Sequence, residues 1–175
     1  MNASTWSVRK AYSLNEEEIN QLSDILIDCV DGGASVSFMD PLTRDRAKEF
    51  WRSVAAYVSA GKRILVVAED SRGLCGTVQL LLDLPENQPH RADVAKMLVH
   101  RRARREGIGA ELMLVAEKAA LDSGRTLLVL DSVTGGGGAR LYERLGWLRV
   151  GEIPGYALFP KGGLCGTTIY YRNLP

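Results

Sequence analysis

Apolar positions along this chain change period several times, and each change marks an element. Ile19, Leu22, Ile25, Leu26 and Cys29 recur at helical spacing and share one face. Ser13-Leu14-Asn15-Glu16 ahead of them reads as a capping box, in which the Ser hydroxyl and Glu carboxylate satisfy free backbone N–H groups, and Gly32-Gly33 stops the helix. A second helix is predicted over 44–60. Its apolar stripe is Ala47, Phe50, Trp51, Val54, Tyr57 and Val58, and Gly61 supplies the left-handed residue past its end. The period then shortens: 63–69 (RILVVAE) and 74–82 read as strands joined by the turn Asp70-Ser71-Arg72-Gly73. After a loop at 85–89, a strand over 92–100 (ADVAKMLVH) leads to a helix over 107–123, with Ile108, Leu112, Val115 and Ala119 inward. A buried strand at 126–131 (TLLVLD), a short helix at 139–145 and strands at 147–153 and 167–172 complete the order. The pattern predicts one mixed α/β domain over 1–175.

Composition narrows the class without naming a function. The 175 residues are 46% hydrophobic and 25% charged, which excludes a wholly disordered or collagen-like chain. A net charge of +1 gives bulk charge no voice on nucleic acids or membranes. Cys29, Cys75 and Cys165 are far apart, and with only His90 and His100 beside them they give no metal-ligand spacing. Buried or incidental thiols in a reducing compartment are the expectation. The opening MNASTWSVRKAY lacks the basic-then-apolar layout of a signal peptide, and every apolar run is far shorter than the ~20 residues that span a bilayer. A soluble, cytoplasmic protein is expected.

The chemistry concentrates in 100–110, HRRARREGIGA. A strand ends, a basic turn follows, and a helix opens with Gly107 and Gly109. Such a junction aims backbone N–H groups and the positive helix end at one spot, where small residues let an anion approach. The G-x-G-x-x-G of a dinucleotide fold and the Lys-Ser/Thr of a P-loop are both missing, and no aromatic residues interleave as in a nucleic-acid patch. On this stretch alone, a solvated Arg-rich turn and a ligand site remain open alternatives.

The tract Arg104-Arg105-Glu106-Gly107-Ile108-Gly109 matches the R-x-x-G-x-G signature of the GNAT N-acetyltransferase family, between a strand and a helix as that signature requires. Ala139-Arg140-Leu141-Tyr142-Glu143-Arg144-Leu145-Gly146-Trp147 resembles the family's second signature. The stretches 32–39, 91–99 and 151–156, with Thr168-Ile169-Tyr170, resemble the tabtoxin-resistance branch, which modifies small molecules. The resemblance implies a mixed, mostly antiparallel sheet of six to seven strands flanked by about four helices.

It also implies acetyl-CoA as co-substrate and no metal. The pyrophosphate would rest on the backbone of Arg104, Arg105, Glu106, Gly107, Ile108, Gly109 and Ala110. The pantetheine arm would run along Met97, Leu98 and Val99, with the amide of Met97 polarising the thioester carbonyl. Two departures stand out: Arg105 where the family often has Gly, at little cost if the backbone there is ordinary, and Gly135 where it often has Asn. Tyr142 takes the position of a general acid for the departing thiolate, although helical spacing alone reads it as a core aromatic beside Leu141 and Leu145.

Asp131 ends a buried strand before the glycine run, where desolvation would raise its pKa toward a useful base; a turn Asp is the alternative, and Asp93, Glu152 or water could serve instead. Phe38 and Met39, in a flexible loop between two helices, are acceptor-pocket candidates. His90 and His100 read as loop and strand-end residues, Phe50, Trp51 and Tyr57 as core, and 135–138 as a lid hinge or a loose turn. The implied reaction is N-acetylation of a small amine, amino-acid-like or of β-lactam antibiotic type, as in toxin resistance. Acetylation of a protein amine, and a non-catalytic CoA-binding module, are the alternatives. The partners expected are a small-molecule substrate, with no nucleic acid or membrane, for a monomer or homodimer.

Overall fold

The computed structural model describes residues 6–175; residues 1–5, part of the N-terminal stretch read above, lie outside the described residues. The elements follow the chain as β1 (Trp6–Ala11), α1 (Glu16–Asp31), α2 (Arg44–Ser59), β2 (Arg63–Asp70), β3 (Gly73–Leu81), β4 (Arg91–Val99), a 3-10 turn (Arg101–Ala103), α3 (Ile108–Asp122), β5 (Leu127–Val133), α4 (Gly137–Arg144), β6 (Leu148–Leu158) and β7 (Leu164–Asn173). Seven strands form one sheet in the order β1-β2-β3-β4-β5-β7-β6. Every neighbouring pair is antiparallel except β4 with β5, so the expected mixed, mostly antiparallel sheet with four α-helices is what forms.

Two apolar layers cover the sheet. Ile64, Val66 and Ala68 of β2 join Ile108, Leu112, Met113 and Ala116 of α3 in one core, while Leu65 and Val67 join Leu22, Ile25, Trp51 and Val54 of α1 and α2 in the other. Burial on both faces is why β2 reads as a continuous apolar run rather than an alternating one. All five residues assigned to the inner face of α1 are buried.

Several boundaries differ from the sequence reading. The capping box of α1 starts at Asn15, not Ser13: Asn15 Oδ1 accepts from the Glu18 amide at 2.8 Å and Glu18 Oε2 from the Asn15 amide at 3.0 Å. That start places Glu16, Glu17 and Glu18 in the first turn, at the positive helix end. β1 is additional. Its short sequence, WSVRKA, alternates only across Trp6 and Val8, and it exists by pairing antiparallel with β2 from Trp6↔Asp70 to Ala11↔Leu65. Helix α4 begins at Gly137, so two of the four glycines at 135–138 are helical rather than a lid or loose turn. Tyr57 is 39% exposed, with the Arg63 guanidinium 4.7 Å from its ring centroid, and is not core. The three cysteines are free and buried. Among the described residues no helix is long and apolar enough to cross a membrane.

Candidate active site

The cleft originates in the pairing of the central strands. The parallel pair β4–β5 holds only from Arg91↔Leu127 to Asp93↔Val129, while β5 stays paired with β7 as far as Val133↔Thr167. On the other side of β4 the register with β3 passes from Thr77↔Leu98 to Gln79↔Ala95, so Lys96 and Met97 stand opposite the one residue Val78. This is a β-bulge, with Lys96 left-handed at φ 51°. The bulge redirects β4, leaving its backbone edge from Val94 onward unpaired with β5.

A cavity of about 430 Å³ fills the gap, walled by Ala95, Lys96 and Met97 on one side and by Asp131, Ser132 and Tyr142 on the other. A second cavity, of about 340 Å³, opens beyond Asp131 and is lined by Phe38, Met39, Tyr156 and Thr167. Ser35, Ser37 and the segment from Asp131 to Val133 line both. The two form one cleft with a neck at Asp131.

The arginine–glycine turn lies at one end. Gly107 caps α3 with φ 87°, and no side chain caps the helix, so the Ile108 and Gly109 amides are left without a capping partner, while the Ala110 amide bonds back to Gly107 O at 3.0 Å. Arg104, Arg105, Glu106 and Gly107 are exposed, whereas the Ile108 side chain is core and only its backbone is available. Arg105 has φ 67°. The backbone where the family often has Gly is therefore not ordinary, and a non-glycine residue there costs about 1–2 kcal/mol. The Arg104 guanidinium turns back, its Nε donating to Val99 O at 3.0 Å, and ties the end of β4 to the turn. A β-carbon on Gly109 would lie 3.3 Å from Leu141 Cδ2, so this glycine also sets how closely α3 and α4 pack. Met97 lines the cavity, Leu98 turns into the α1/α2 core, and Ala110 follows in the first turn of α3.

Tyr142 is both core and cavity wall. It is 6% exposed, packed against Trp147 and Tyr170 at centroid distances of 6.0 and 5.8 Å. Burial, reinforced by Asp131 and Tyr170, pushes its hydroxyl up to about 12, and that hydroxyl makes no hydrogen bond among the described residues. Asp131 differs from expectation: it is exposed in the cleft rather than desolvated, and its Oδ2 accepts from Thr167 Oγ1 at 2.9 Å. Asp93 lies outside both cavities, its pKa raised by burial and opposed by Arg91 at 3.2 Å, and Glu152 pairs with Arg149 on the surface.

Phe38 packs edge-on against Phe50 at 5.3 Å, and Met39 is 42% exposed. Their loop is anchored, not free. Ser35 Oγ donates to Leu158 O at 2.8 Å and the Asp40 amide to Pro160 O at 3.0 Å, which fastens it to the β6–β7 turn. His90 lies in a loop outside the cleft, and His100 caps the 3-10 turn, its Nδ1 accepting from the Arg102 amide at 3.2 Å. The described residues contain no cluster of three metal-ligating side chains.

Sequence reasoning missed Lys96 and Ser37. A lysine amid the apolar residues Val94, Ala95, Met97 and Leu98 was the available signal for the first; the second had none, because its place depends on how the loop folds back.

A family model described as acetyltransferase (GNAT) domain matches residues 61–148. An uncharacterized N-acetyltransferase from the hisH-hisA intergenic region of Azospirillum brasilense is 27% identical over 127 residues, covering 71% of this chain and 74% of that protein. An N-acetyltransferase from Staphylococcus aureus Mu50 superposes with a TM-score of 0.81 at 17% identity, covering 98% of this chain and 100% of its own. The yncA protein of Salmonella typhimurium, a putative acetyltransferase determined with its cofactor acetyl-CoA, superposes with a TM-score of 0.79 at 16% identity, covering 98% and 95%. At such identities the two structures show a shared fold.

Proposed function

The chain belongs to the GNAT acetyltransferase family, and from that premise we propose that it transfers the acetyl group of acetyl-CoA to the amine of a small molecule, within a ternary complex. The observation that carries this reading is the unpaired edge of β4 facing Tyr142 and Asp131 across one cleft. An extended amide-bearing arm can lie along that edge as an added strand, its pyrophosphate on the amides at the start of α3. The fit is supported by the uncapped helix start and by the small residues Gly107, Gly109 and Ala110 there. The Salmonella neighbour was determined with acetyl-CoA.

The chemistry then follows from placement. The acceptor's neutral amine attacks the thioester carbonyl, and the bulge amide of Met97 stabilises the oxygen that becomes negative. The N–C bond forms, the C–S bond breaks, the nitrogen gives up one proton, and the sulfur leaves as a thiol. Asp131 serves as the proton acceptor, directly or through water, and the Tyr142 hydroxyl supplies a proton to the sulfur.

The size of the second chamber supports a small acceptor. At about 340 Å³ and walled by the anchored loop, it suits a compact amine, of the amino-acid or antibiotic class, better than an extended peptide. A thiol-release assay with acetyl-CoA tests this over small amines, amino acids, β-lactam-type antibiotics and peptide N-termini. Turnover confined to small amines is expected. Efficient acetylation of peptides with every small amine inert replaces the acceptor class, and absence of release with all of them leaves only a CoA-binding module.

A further inference from the structure

Among the described residues three non-glycine positions are left-handed, Ser37 (φ 76°), Lys96 (φ 51°) and Arg105 (φ 67°), and every one lies along the cleft or its anion turn. Backbone strain of this kind persists where the surrounding structure enforces it, and it clusters at ligand sites. Two of the three touch. Lys96 Nζ, carried on the bulge of β4, donates to Ser37 Oγ at 3.1 Å, so strain in the strand and in the α1–α2 loop converges on one contact.

That contact is chemically incomplete. The Lys96 side chain is half-buried, lines the larger cavity and lies 5.9 Å from the Phe50 ring centroid, yet it forms no ion pair within 4 Å among the described residues. Burial lowers its pKa; Asp131 acts to raise it and Arg63 to lower it further. An ammonium drawn partly out of water with only a hydroxyl as partner is stabilised when an anion joins it. Asp131, at the neck shared by both chambers, offers the opposite charge.

We infer that Lys96 and Ser37 form an anion subsite where the larger cavity meets the acceptor chamber, Lys96 lining the first and Ser37 both, and that, with Asp131 receiving the amine, the enzyme selects acceptors carrying a carboxylate close to the reacting nitrogen. Such acceptors are free amino acids, zwitterions whose two charges meet Asp131 and Lys96 together. Lys96 is then a specificity residue: it binds the group that does not react. This inference rests on the small-molecule acetyltransferase reading.

The test measures kcat/KM for acetyl-CoA-dependent thiol release with free amino acids and with their carboxamides, which keep the amine and lose the negative charge. The wild-type protein should prefer the acids by on the order of 10- to 100-fold, the range of a charge-assisted hydrogen bond. Lys96→Gln should bring that ratio close to one, mainly by raising KM for the acids, and Lys96→Arg should restore part of it. Lys96→Asn is the companion variant, since Asn tolerates left-handed backbone and protects the test against misfolding. Equal turnover of acids and carboxamides by the wild type, or an unchanged ratio in all three folded variants, overturns the subsite while leaving the acetyltransferase reading intact. Turnover of peptides alone overturns both.

Discussion

Tyr142 shows how one side chain serves two roles at the residue scale. Its ring fills the space between Trp147 and Tyr170, and the residue also lines the cavity. Tyr142→Phe keeps the packing and removes only the hydroxyl, so turnover should fall by about 10²-fold while melting temperature and acetyl-CoA affinity hold. The sign of its pKa shift makes the pH dependence specific. A phenol pushed up to about 12 stays protonated from pH 6 to 9, so the deficit should be constant across that range. Asp131→Asn should behave otherwise, losing most rate below the acceptor amine's pKa and recovering as base is added, because solvent then supplies the neutral amine. Full turnover in Tyr142→Phe with chemistry rate-limiting reduces this residue to core, and an unaltered pH–rate profile in Asp131→Asn places the base elsewhere.

At the scale of elements, the arginine–glycine turn depends on how α3 seats on the sheet. Gly76 of β3 lies beneath that helix, and a β-carbon there would stand 3.1 Å from Leu112 Cδ1, 3.2 Å from Ile108 Cγ2 and 3.3 Å from Leu98 O. The carbonyl belongs to β4 and cannot rotate away as a side chain can. Gly76→Ala should therefore destabilise by about 1–3 kcal/mol through overpacking, read as a lower urea midpoint. It should also weaken acetyl-CoA binding, because Ile108 begins the helix whose amides form the turn. Unchanged urea midpoint and affinity would show that α3 shifts freely. Farther along the same helix, Glu117 accepts from Trp147 Nε1 at 3.0 Å, just before β6, and pairs with Arg172 of β7 at 3.1 Å.

Over the whole molecule, stability toward acid is set by carboxylates that bridge the layers. Burial acts to raise the Asp28 carboxyl, but the backbone and guanidinium of Arg101 hold it below its ordinary value, and Arg102 with the Arg72 amide does the same for Asp70. A depressed folded pKa stabilises the fold above the unfolded value, near 3.8, and that contribution is lost as the pH falls from there through the lower folded value. Glu117, raised by burial against the pull of Arg172, acts with the opposite sign, its contribution fading as pH rises through the carboxylate range. Two bridging aspartates against one glutamate favour a melting temperature that is flat near neutrality and declines below about pH 4. Asp28→Asn should cost roughly 2–4 °C at pH 7 and flatten that acid limb; an acid limb of wild-type steepness in the variant would exclude Asp28 as its source.

The sequence by itself determined what is local. Apolar spacing located α1, α2, α3 and the central strands, since each must present its own face to a core. The arginine–glycine turn was legible because Gly107 and Gly109 act where they stand, between a strand and a helix. Tertiary structure decided what depends on distant segments. β1 forms because β2 leaves an edge to pair, which the short, half-polar sequence WSVRKA does not announce. Asp131 is exposed instead of desolvated because β4 departs from β5 after residue 93, and the bulge that turns β4 also carries Lys96 to Ser37. Ser37 comes from a loop 59 residues earlier in the chain. No periodicity connects two such positions, because their contact arises when the sheet and the loop above it close over the same space.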